Sequence, residues 1–287
     1  MKAIWALQLS WVALAVALGP AVADALGGAS SPVQLVATVW LWAGWTAGLV
    51  AVLVPRDLSL TVVRALAPGA LVAALAAAVH GARGIDDVVA LAAAAVVVVV
   101  AVSPAVTDAL VDGSSYGSER RFALRSPPSL LFGPVPLTWT AVVVLPAAAA
   151  LLLAARNWPV GGALAVASLA AVRFGAPALH RLSRRWVVLV PAGVVVHDDV
   201  ALADPVLLPA ALVRRVGPAP VGTEGLDLTA GAGGLVLEVE LAEAIDLLVA
   251  GAGRREARTE HARRLLVAPL RPGALLAEAA ARNLPVG

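Results

Sequence analysis

The chain lacks cysteine altogether, has few aromatic side chains and carries little charge. Only 4% of its 287 residues are aromatic and 14% are charged, whereas 60% are hydrophobic and the mean hydropathy is +0.89. The absence of cysteine excludes disulfides, thiolate zinc sites and cysteine nucleophiles. The charged fraction lies far below the roughly 25% of an average soluble domain, which indicates that most of the chain lies in lipid.

The few charges are distributed unevenly along the chain. Up to Arg185 there are 12 basic and 7 acidic residues, and from Trp186 onward there are 9 basic and 12 acidic ones. A basic, apolar part is therefore followed by an acidic, polar part. This division predicts a transmembrane helical domain at residues 1–185 and a second domain at residues 186–287. One lysine against 20 arginines is typical of a GC-rich bacterial genome.

Long apolar segments dominate the first part. A helix needs about 20 mainly apolar residues to cross the hydrocarbon core, where no water satisfies open backbone groups. Six segments meet this requirement, at about 3–23, 33–54, 60–80, 88–102, 136–155 and 160–177. The fourth can continue helically to Val111, beyond Pro104. The first also resembles a secretory signal peptide ending at Ala23, so a retained helix, which its length favours, and a cleaved leader both stay open.

Arginine near the ends of the spans orients the bundle, because basic residues are retained on the cytoplasmic side. With the N-terminus inside, ten basic residues fall on the cytoplasmic side and two, Arg83 and Arg156, fall outside. This predicts a multi-pass inner-membrane protein whose N-terminus and C-terminal domain are cytoplasmic. Arg64 and Arg173 lie close enough to the cytoplasmic ends to extend to the interface. No acidic residue lies well within a predicted span, so no intramembrane ion pathway is evident.

From Trp186 the hydrophobic period changes from helical to alternating, which indicates strands. Seven short strands are predicted, at Trp186–Val190, Val194–Asp198, Val206–Leu208, Ala211–Val216, Leu226–Thr229, Leu235–Leu241 and Arg264–Ala268. A helix is predicted over Ala242–Ala250, a charged helical segment over Arg254–Arg263, and a final helix from Arg271 to about Asn283.

Three stretches give this second part a likeness to a known domain. They are 184–198 (RRWVVLVPAGVVVHD), 208–213 (LPAALV) and 269–276 (PLRPGALL). With seven strands and a terminal helix, residues 186–287 resemble the bacterial PH-like domain of multi-span envelope proteins. The whole chain resembles integral membrane proteins of high-GC actinobacteria. The resemblance implies a small, mainly-β cytoplasmic domain and brings no catalytic motif, and the helical insertion at 242–263 departs from a minimal PH-like unit.

The segment between spans four and five combines serine, tyrosine and arginine. Its candidate interaction residues are Ser114, Ser115, Tyr116, Arg120, Arg121 and Arg125. Such a segment can grip a phosphate headgroup, bind the acidic C-terminal domain or become phosphorylated. A solvated linker that only fixes the topology is the plain alternative.

A second basic segment is a candidate membrane-surface patch. It consists of Arg254, Arg255, Arg258, Arg263 and Arg264. As a helix, this segment can lie on anionic lipid, where each charge contributes about 1 kcal/mol. A solvated charged helix is the alternative, because Glu256 and Glu260 interleave with the arginines at salt-bridge spacing.

The remaining polar clusters offer little for chemistry. The group His80, Arg83, Asp86 and Asp87, and the tripeptide 197–199 (HDD), each contain a single histidine and specify no metal site. The glycine run 231–234 (GAGG) precedes a strand rather than a helix, which predicts a flexible turn and not a phosphate loop.

Taken together, these features predict a non-enzymatic membrane anchor with a PH-like scaffold or partner-binding module. We expect no cofactor and no metal. The expected partners are the lipid bilayer and a further membrane or cytoplasmic protein, but not nucleic acid, since the C-terminal part is acidic and poor in aromatics. The alternative is a transporter or lipid-handling protein whose activity lies in the helical bundle.

Overall fold

The structure, a computed structural model, describes residues 2–81, 84–251 and 257–287. The chain divides into two compact units. The first comprises Met1–Leu110 and Val135–His180, and the second comprises Val111–Pro134 and Arg181–Gly287. The sequence predicts a single domain boundary, after Arg185. The second unit of the structure also includes the segment between the helices of the fourth and fifth spans.

Within the described residues, five helices are long and apolar enough to cross a membrane, so the chain is a multi-pass membrane protein. They are α1 (Lys2–Leu26), α2 (Ser31–Leu53), α3 (Asp57–His80), α7 (Pro134–Ala154) and α8 (Trp158–Ser183). A π-helical turn, Thr140–Val144, interrupts α7. A short helix, α6 (Pro128–Leu131), precedes α7.

The fourth predicted span is broken. It consists of α4 (Ile85–Ala101) and α5 (Pro104–Asp112), which are bent by 59° relative to each other. Counted as one, this pair brings the number of spans in the described residues to six. The continuation beyond Pro104 is therefore helical, as predicted, but not straight. Proline has no backbone N–H and its ring clashes with the preceding turn, so Pro104 begins a new helix instead of continuing the old one.

Helices α1 and α2 are locked together by two tryptophans. The indole Nε1 of Trp11 donates to the carbonyl of Trp45, and Nε1 of Trp45 donates to the carbonyl of Trp11, each at 3.0 Å. An indole N–H in lipid needs such an acceptor because no water is present. Gly48 lies against the Trp11 ring so closely that any Cβ there would overlap the indole. The opposite face of α1 exposes apolar side chains, including Leu9 and Val16, as a lipid-facing surface requires.

The second unit is built from two four-stranded sheets. The first has the order β1-β2-β3-β4, with all neighbours antiparallel. Its strands are β1 (Arg120–Ala123), β2 (Arg185–Val190), β3 (Gly193–Asp198) and β4 (Val206–Pro209). The second has the order β5-β7-β8-β6. Its strands are β5 (Val213–Pro218), β6 (Leu226–Asp227), β7 (Leu237–Val249) and β8 (Arg258–Val267). The helix α9 (Pro272–Ala281) follows β8.

One hydrophobic core joins both sheets and the last helix. Leu189 and Leu208 of the first sheet, Leu237 and Leu265 of the second, and Ala279 of α9 are all fully buried in it. The alternation predicted over Leu235–Leu241 is confirmed for Leu237, Val239 and Leu241, which are buried in the core. Leu235 precedes β7 and is 46% exposed. The mainly-β character of this part and its C-terminal helix are therefore as predicted.

Two helix predictions in this part are wrong. The segment predicted as helix Ala242–Ala250 continues β7 to Val249, and the charged segment predicted from Arg254 is strand β8 from Arg258 onward. Residues 252–256 lie outside the described residues. The cause is a bulge, because β7 advances from Glu240 to Ile245 while β8 advances only from Arg264 to Ala262. Such extra residues break the period of two and imitate a helical pattern.

Candidate functional site

The predicted interaction segment between the fourth and fifth spans is part of the second unit. It pairs with β2 antiparallel, from Arg120 opposite Leu189 to Ala123 opposite Trp186. Phe122 and Leu124 are buried in the core of the unit. The backbone N–H of Arg125 continues the contact by donating to the carbonyl of Ala268 at 2.8 Å. The segment thus supplies an edge strand to a sheet whose other strands lie more than 60 residues away.

Asp112, the last residue of α5, organises the turn that precedes β1. Its Oδ1 accepts hydrogen bonds from the backbone N–H of Arg121 and from Ser115 Oγ, both at 2.9 Å. Its Oδ2 forms an ion pair with Arg120. Ser114 Oγ accepts from Arg121 Nη1 at 3.1 Å. The predicted serines and arginines of this turn therefore bind one another and the Asp112 carboxylate.

The remaining two predicted residues of this segment have different surroundings. Tyr116 is 87% exposed, so its hydroxyl is accessible. Arg125 donates from Nη1 to the carbonyl of Gly233 at 2.6 Å. Gly234 has a φ of +97° and lies so close to the Arg125 guanidinium that a Cβ would overlap it. The glycine run is thus a turn, as predicted, and it is folded around an arginine side chain.

Three planar groups stack across β1, β2 and β3. The guanidinium of Arg121 lies 5.6 Å from the ring centroid of Trp186. The ring of Trp186 stacks on that of His197, with centroids 4.5 Å apart and an interplanar angle of 13°. His197 Nε2 lies 3.3 Å from both Asp199 Oδ1 and Arg184 Nη2. Burial lowers the pKa of His197, and this exceeds the opposing attraction of Asp199, so the imidazole is neutral at pH 7.

A buried ion pair lies at the centre of the unit. Arg185 contacts Asp198 through two parallel bonds, Nε to Oδ1 and Nη2 to Oδ2, each 2.8 Å long. Arg185 Nη1 also donates to the carbonyl of Arg125 at 2.8 Å. The backbone N–H groups of Val200 and Ala201 donate to Asp198 Oδ1. Asp198, one of the acidic residues of the tripeptide 197–199, is therefore part of a structural clamp that includes the β1 segment.

No group of three metal-ligating side chains assembles within the ranges that the structure describes. Arg83, from the cluster predicted near His80, lies outside the described residues. Asp87 of that cluster caps a helix, since its Oδ2 accepts from the N–H of Gly84 at 2.9 Å.

The predicted membrane-surface patch lies only partly in the described residues, which exclude Arg254 and Arg255. Arg258, Arg263 and Arg264 lie on strand β8 and not on a helix. Each has a partner within the unit. Arg258 pairs with Glu260 at 2.9 Å, and Arg263 Nε donates to the carbonyl of Leu241 at 2.9 Å.

Arg264 belongs to a cross-strand charge network on the outer face of the second sheet. It lies 3.2 Å from Glu238 and 3.5 Å from Glu240, its neighbours on β7. Arg215 of β5 binds Glu238 from the other side at 2.8 Å. Glu238 is almost fully buried, and two guanidinium groups compensate its charge.

An open groove of about 610 Å³ lies beside this network. One wall is formed by residues 224–226, next to the short strand β6, and the other by residues 260–264 of β8 with Glu240. Sequence reasoning did not find this groove, because it depends on a parallel pairing of two residues between β6 and β8.

The first unit contains buried polar side chains that sequence reasoning also missed. Thr107 and Asp108 of α5 are 1% and 6% exposed. Arg64 Nη2 donates to Thr107 Oγ1 at 3.5 Å, so this arginine contacts the neighbouring helix segment. One turn earlier on α3, Thr61 Oγ1 hydrogen bonds with His180 Nδ1 of α8 at 2.7 Å. Thr107 and Asp108 lie beyond the predicted fourth span, which ends at residue 102. Pro104, a proline within an apolar segment, is the sequence signal that indicated the break.

The arginines and carboxylates of the second unit are mostly paired with one another, and its partly buried His197 is stacked on Trp186. A comparison with known protein families, with curated proteins and with solved structures found no match to this chain.

Proposed function

We propose that the chain is a non-enzymatic, inner-membrane scaffold whose second unit binds a partner on the cytoplasmic side. This unit (Val111–Pro134 and Arg181–Gly287), called the β unit from here on, is a PH-like module. One observation carries the proposal. Strand β1 comes from the chain between two membrane segments and completes the first sheet of the β unit. The module is thereby connected to the spanning helices at both ends of the 111–134 segment and again at Arg181, which suits a scaffold held at the bilayer.

Two further features support a PH-like module. The unit has two four-stranded sheets on a common core, and a helix follows the last strand. This matches the layout implied by the resemblance of residues 186–287. Within the described residues, seven strands, β2–β8, lie between Arg185 and Val267, the number that the resemblance implies, and β1 is an additional strand.

Two arguments together support the cytoplasmic side for the β unit. Because β1 and β2 pair, the segment 111–134 and the C-terminal part lie on one side of the bilayer. The bias of ten basic residues against two favours the cytoplasmic side.

The absence of cysteine makes this topology directly testable. Tyr116→Cys and Asn157→Cys each introduce a single thiol, one in the exposed turn before β1 and one in the connection between α7 and α8. In intact cells whose outer permeability barrier has been opened, a membrane-impermeant maleimide should label Asn157→Cys and leave Tyr116→Cys unlabelled until the inner membrane is lysed. The reverse pattern overturns the proposal.

Partner binding is tested in the native membrane with a photo-crosslinking amino acid. It is placed at Tyr116, at Leu207 on the exposed side of β4, and at Val166 on the exposed face of α8. We expect discrete protein adducts from a position on the β unit and none beyond lipid from Val166. Adducts confined to Val166 overturn the scaffold role.

A second candidate function, transport through the helical bundle, is favoured by the broken α4–α5 pair. Buried ionisable side chains in membrane segments mark ion or proton pathways, and Arg64, Thr107 and Asp108 lie at such a break. Proton flux into proteoliposomes, followed with a trapped pH-sensitive dye, tests it. Flux that Asp108→Asn abolishes supports transport, and flux equal to that of protein-free liposomes excludes a proton pathway.

A further inference from the structure

Two neighbouring apolar side chains are exposed in the segment that precedes α7. Leu131, the last residue of α6, is 45% exposed, and Phe132, which follows it, is 90% exposed. Pro127, just before α6, is buried, so the segment has one buried and one exposed side. A single exposed apolar residue is ordinary on a protein surface. The position of Phe132 in the chain therefore decides what its ring contacts.

The membrane-spanning helix α7 begins two residues after Phe132. The 21 residues of α7, at 1.5 Å per residue, give a length of about 32 Å, which matches a hydrocarbon core of about 30 Å. The charged residue Arg156 follows the other end of α7 closely. Because α7 is only as long as the core is thick, the residues before Pro134 lie at the boundary where acyl chains meet headgroups.

The uncharged part of the chain is longer than α7. No charged residue occurs between Arg125 and Arg156, and residues 126–133 of this uncharged stretch precede α7. In sequence, the exposed apolar residues continue into the span, since Leu137 in the first turn of α7 is 74% exposed. Segments that lie in the membrane interface direct Phe and Leu side chains toward the acyl chains and keep their other side in polar or protein surroundings. Residues 126–133 have this composition and this division of sides.

We propose that Leu131 and Phe132 bind the lipid bilayer at its acyl-chain boundary and anchor residues 126–133 at the membrane surface. The partner of this surface is lipid, because the exposed pair is continuous in sequence with a helix that spans the bilayer and lies at the depth where α7 ends. The anchor recognises apolar acyl chains and requires no particular headgroup.

The anchor restricts how far the first sheet can move from the bilayer. The backbone N–H of Arg125, just after β1, donates to the carbonyl of Ala268. At 3.3–3.6 Å per residue, the chain from Arg125 to Phe132 reaches at most about 25 Å. With Phe132 in the interface, the end of β1 stays within this distance of the acyl chains. This inference goes beyond the scaffold role, because it holds on either side of the membrane and with or without a protein partner.

The depth of Phe132 is measured with single-cysteine variants, which the absence of native cysteine makes straightforward. Phe132→Cys is the test position, Tyr116→Cys the aqueous reference and Val166→Cys, on the exposed face of α8, the deep reference. Each variant carries the fluorophore NBD and is reconstituted into nanodiscs of phosphatidylcholine and phosphatidylglycerol. The quenchers are iodide in the buffer and lipids with a nitroxide either near the headgroup or near the end of the acyl chain.

We expect the label at residue 132 to be quenched at least twofold more by the nitroxide near the headgroup than by the deep nitroxide. The label at residue 166 should show the reverse order, and the label at residue 116 should respond to iodide alone. Iodide quenching at 132 equal to that at 116 overturns the proposal. Protection of residue 132 from iodide and from both nitroxides shows that protein covers it, which also overturns the proposal.

A matched pair of variants tests whether the Phe132 ring holds the segment in the interface. The label is placed at Ser129→Cys, an exposed position of α6, and its quenching by the nitroxide near the headgroup is compared in two backgrounds. Phe132→Ser and Tyr116→Ser each remove an exposed aromatic ring. We expect at least a twofold loss of quenching with Phe132→Ser and no change with Tyr116→Ser. Equal quenching in both backgrounds overturns the anchoring role of the ring.

Discussion

Arg185 and Asp198 form a fully buried, two-bond ion pair at the point where β2, β3 and the segment after β1 meet. The Arg185 guanidinium also donates to the carbonyls of Arg125 and Leu228. Four parts of the chain that are distant in sequence are therefore joined at one cation. This explains how a short strand from between two membrane segments is held in the β unit.

Removing one partner of this pair leaves a buried charge uncompensated. We expect Asp198→Ala to lower the free energy of unfolding of the β unit by about 3–5 kcal/mol, measured by chemical denaturation in nanodiscs with tryptophan fluorescence. Arg184→Gln removes a partly exposed ion pair and should cost about 0–1 kcal/mol. The apolar double variant Arg185→Met/Asp198→Leu should recover much of the loss. Similar effects of Asp198→Ala and Arg184→Gln would contradict the clamp.

The side chain of Phe122 packs in the common core and holds β1 against it. Phe122→Ala should destabilise the β unit by about 3–5 kcal/mol, because it creates a cavity among buried side chains. Hydrogen exchange of the β2 amides provides the measurement. Tyr116→Ala changes an exposed aromatic side chain in the turn before β1 and serves as the control. Unchanged β2 protection in Phe122→Ala would show that β1 is not needed by the sheet.

Residues 181–287 alone keep Arg185 but lack β1, and should not form the complete sheet. We expect this fragment to aggregate on purification, since the edge of β2 and part of the core are exposed without Phe122 and Leu124. Adding the segment 111–134 in the same polypeptide, through a flexible linker, should give a monodisperse protein. Size-exclusion chromatography distinguishes the two results, and a monodisperse 181–287 fragment contradicts the prediction.

Gly48 is required for the packing of α1 on α2. Gly48→Ala forces a methyl group into the Trp11 ring, and overpacking of this kind costs about 1–3 kcal/mol. The control is Gly44→Ala on the same helix, where the added Cβ would lie 3.9 Å from Leu66, an ordinary contact distance. Thermal denaturation in detergent should show a lower midpoint for Gly48→Ala alone. Equal midpoints for the two variants would contradict the predicted role of the Gly48–Trp11 contact in the packing of α1 on α2.

The stacked His197 gives the β unit a defined pH dependence. Because burial lowers its pKa in the folded state, the unfolded chain binds more protons just below about pH 6.5, the ordinary value. The contribution of neutral His197 to the free energy of unfolding is therefore fully present above that pH, and it declines as the pH falls toward the lowered pKa. Asp198, Asp199, Arg184 and Arg121 are the charges that act on the ring. His197→Gln should flatten the stability profile between pH 7.5 and 5.5, measured by chemical denaturation.

The elements that the sequence predicts well are those with a local signal. Long apolar runs identify the membrane helices, and the alternation of Leu237, Val239 and Leu241 with glutamates identifies the middle of β7. The same alternation does not predict the rest of β7. After Glu240 a bulge adds three residues to β7, and they interrupt the period of two. Residues 242–249 form a strand because they pair with β8, and not because of their local propensity.

The site could be predicted only in its composition. Ser114, Ser115, Arg120 and Arg121 were identified as an interacting segment, but their hydrogen bonds and ion pair with the neighbouring Asp112 depend on the turn that the chain adopts. The Trp186 ring that Arg121 contacts is brought near only by the fold. Strand β1 has four residues and pairs with a segment more than 60 residues away, so no local pattern indicates it. The groove between β6 and β8 depends in the same way on where a two-residue strand ends.

The position of β1 in the chain also sets an order of events during synthesis. Ribosomes add about 5–20 residues per second, so the roughly 60 residues between β1 and β2 take about 3–12 s. Throughout that interval Phe122 and Leu124 have no sheet to join. Phe122 and Leu124 therefore reach their places in the core only after the last two membrane helices and β2 have been synthesised.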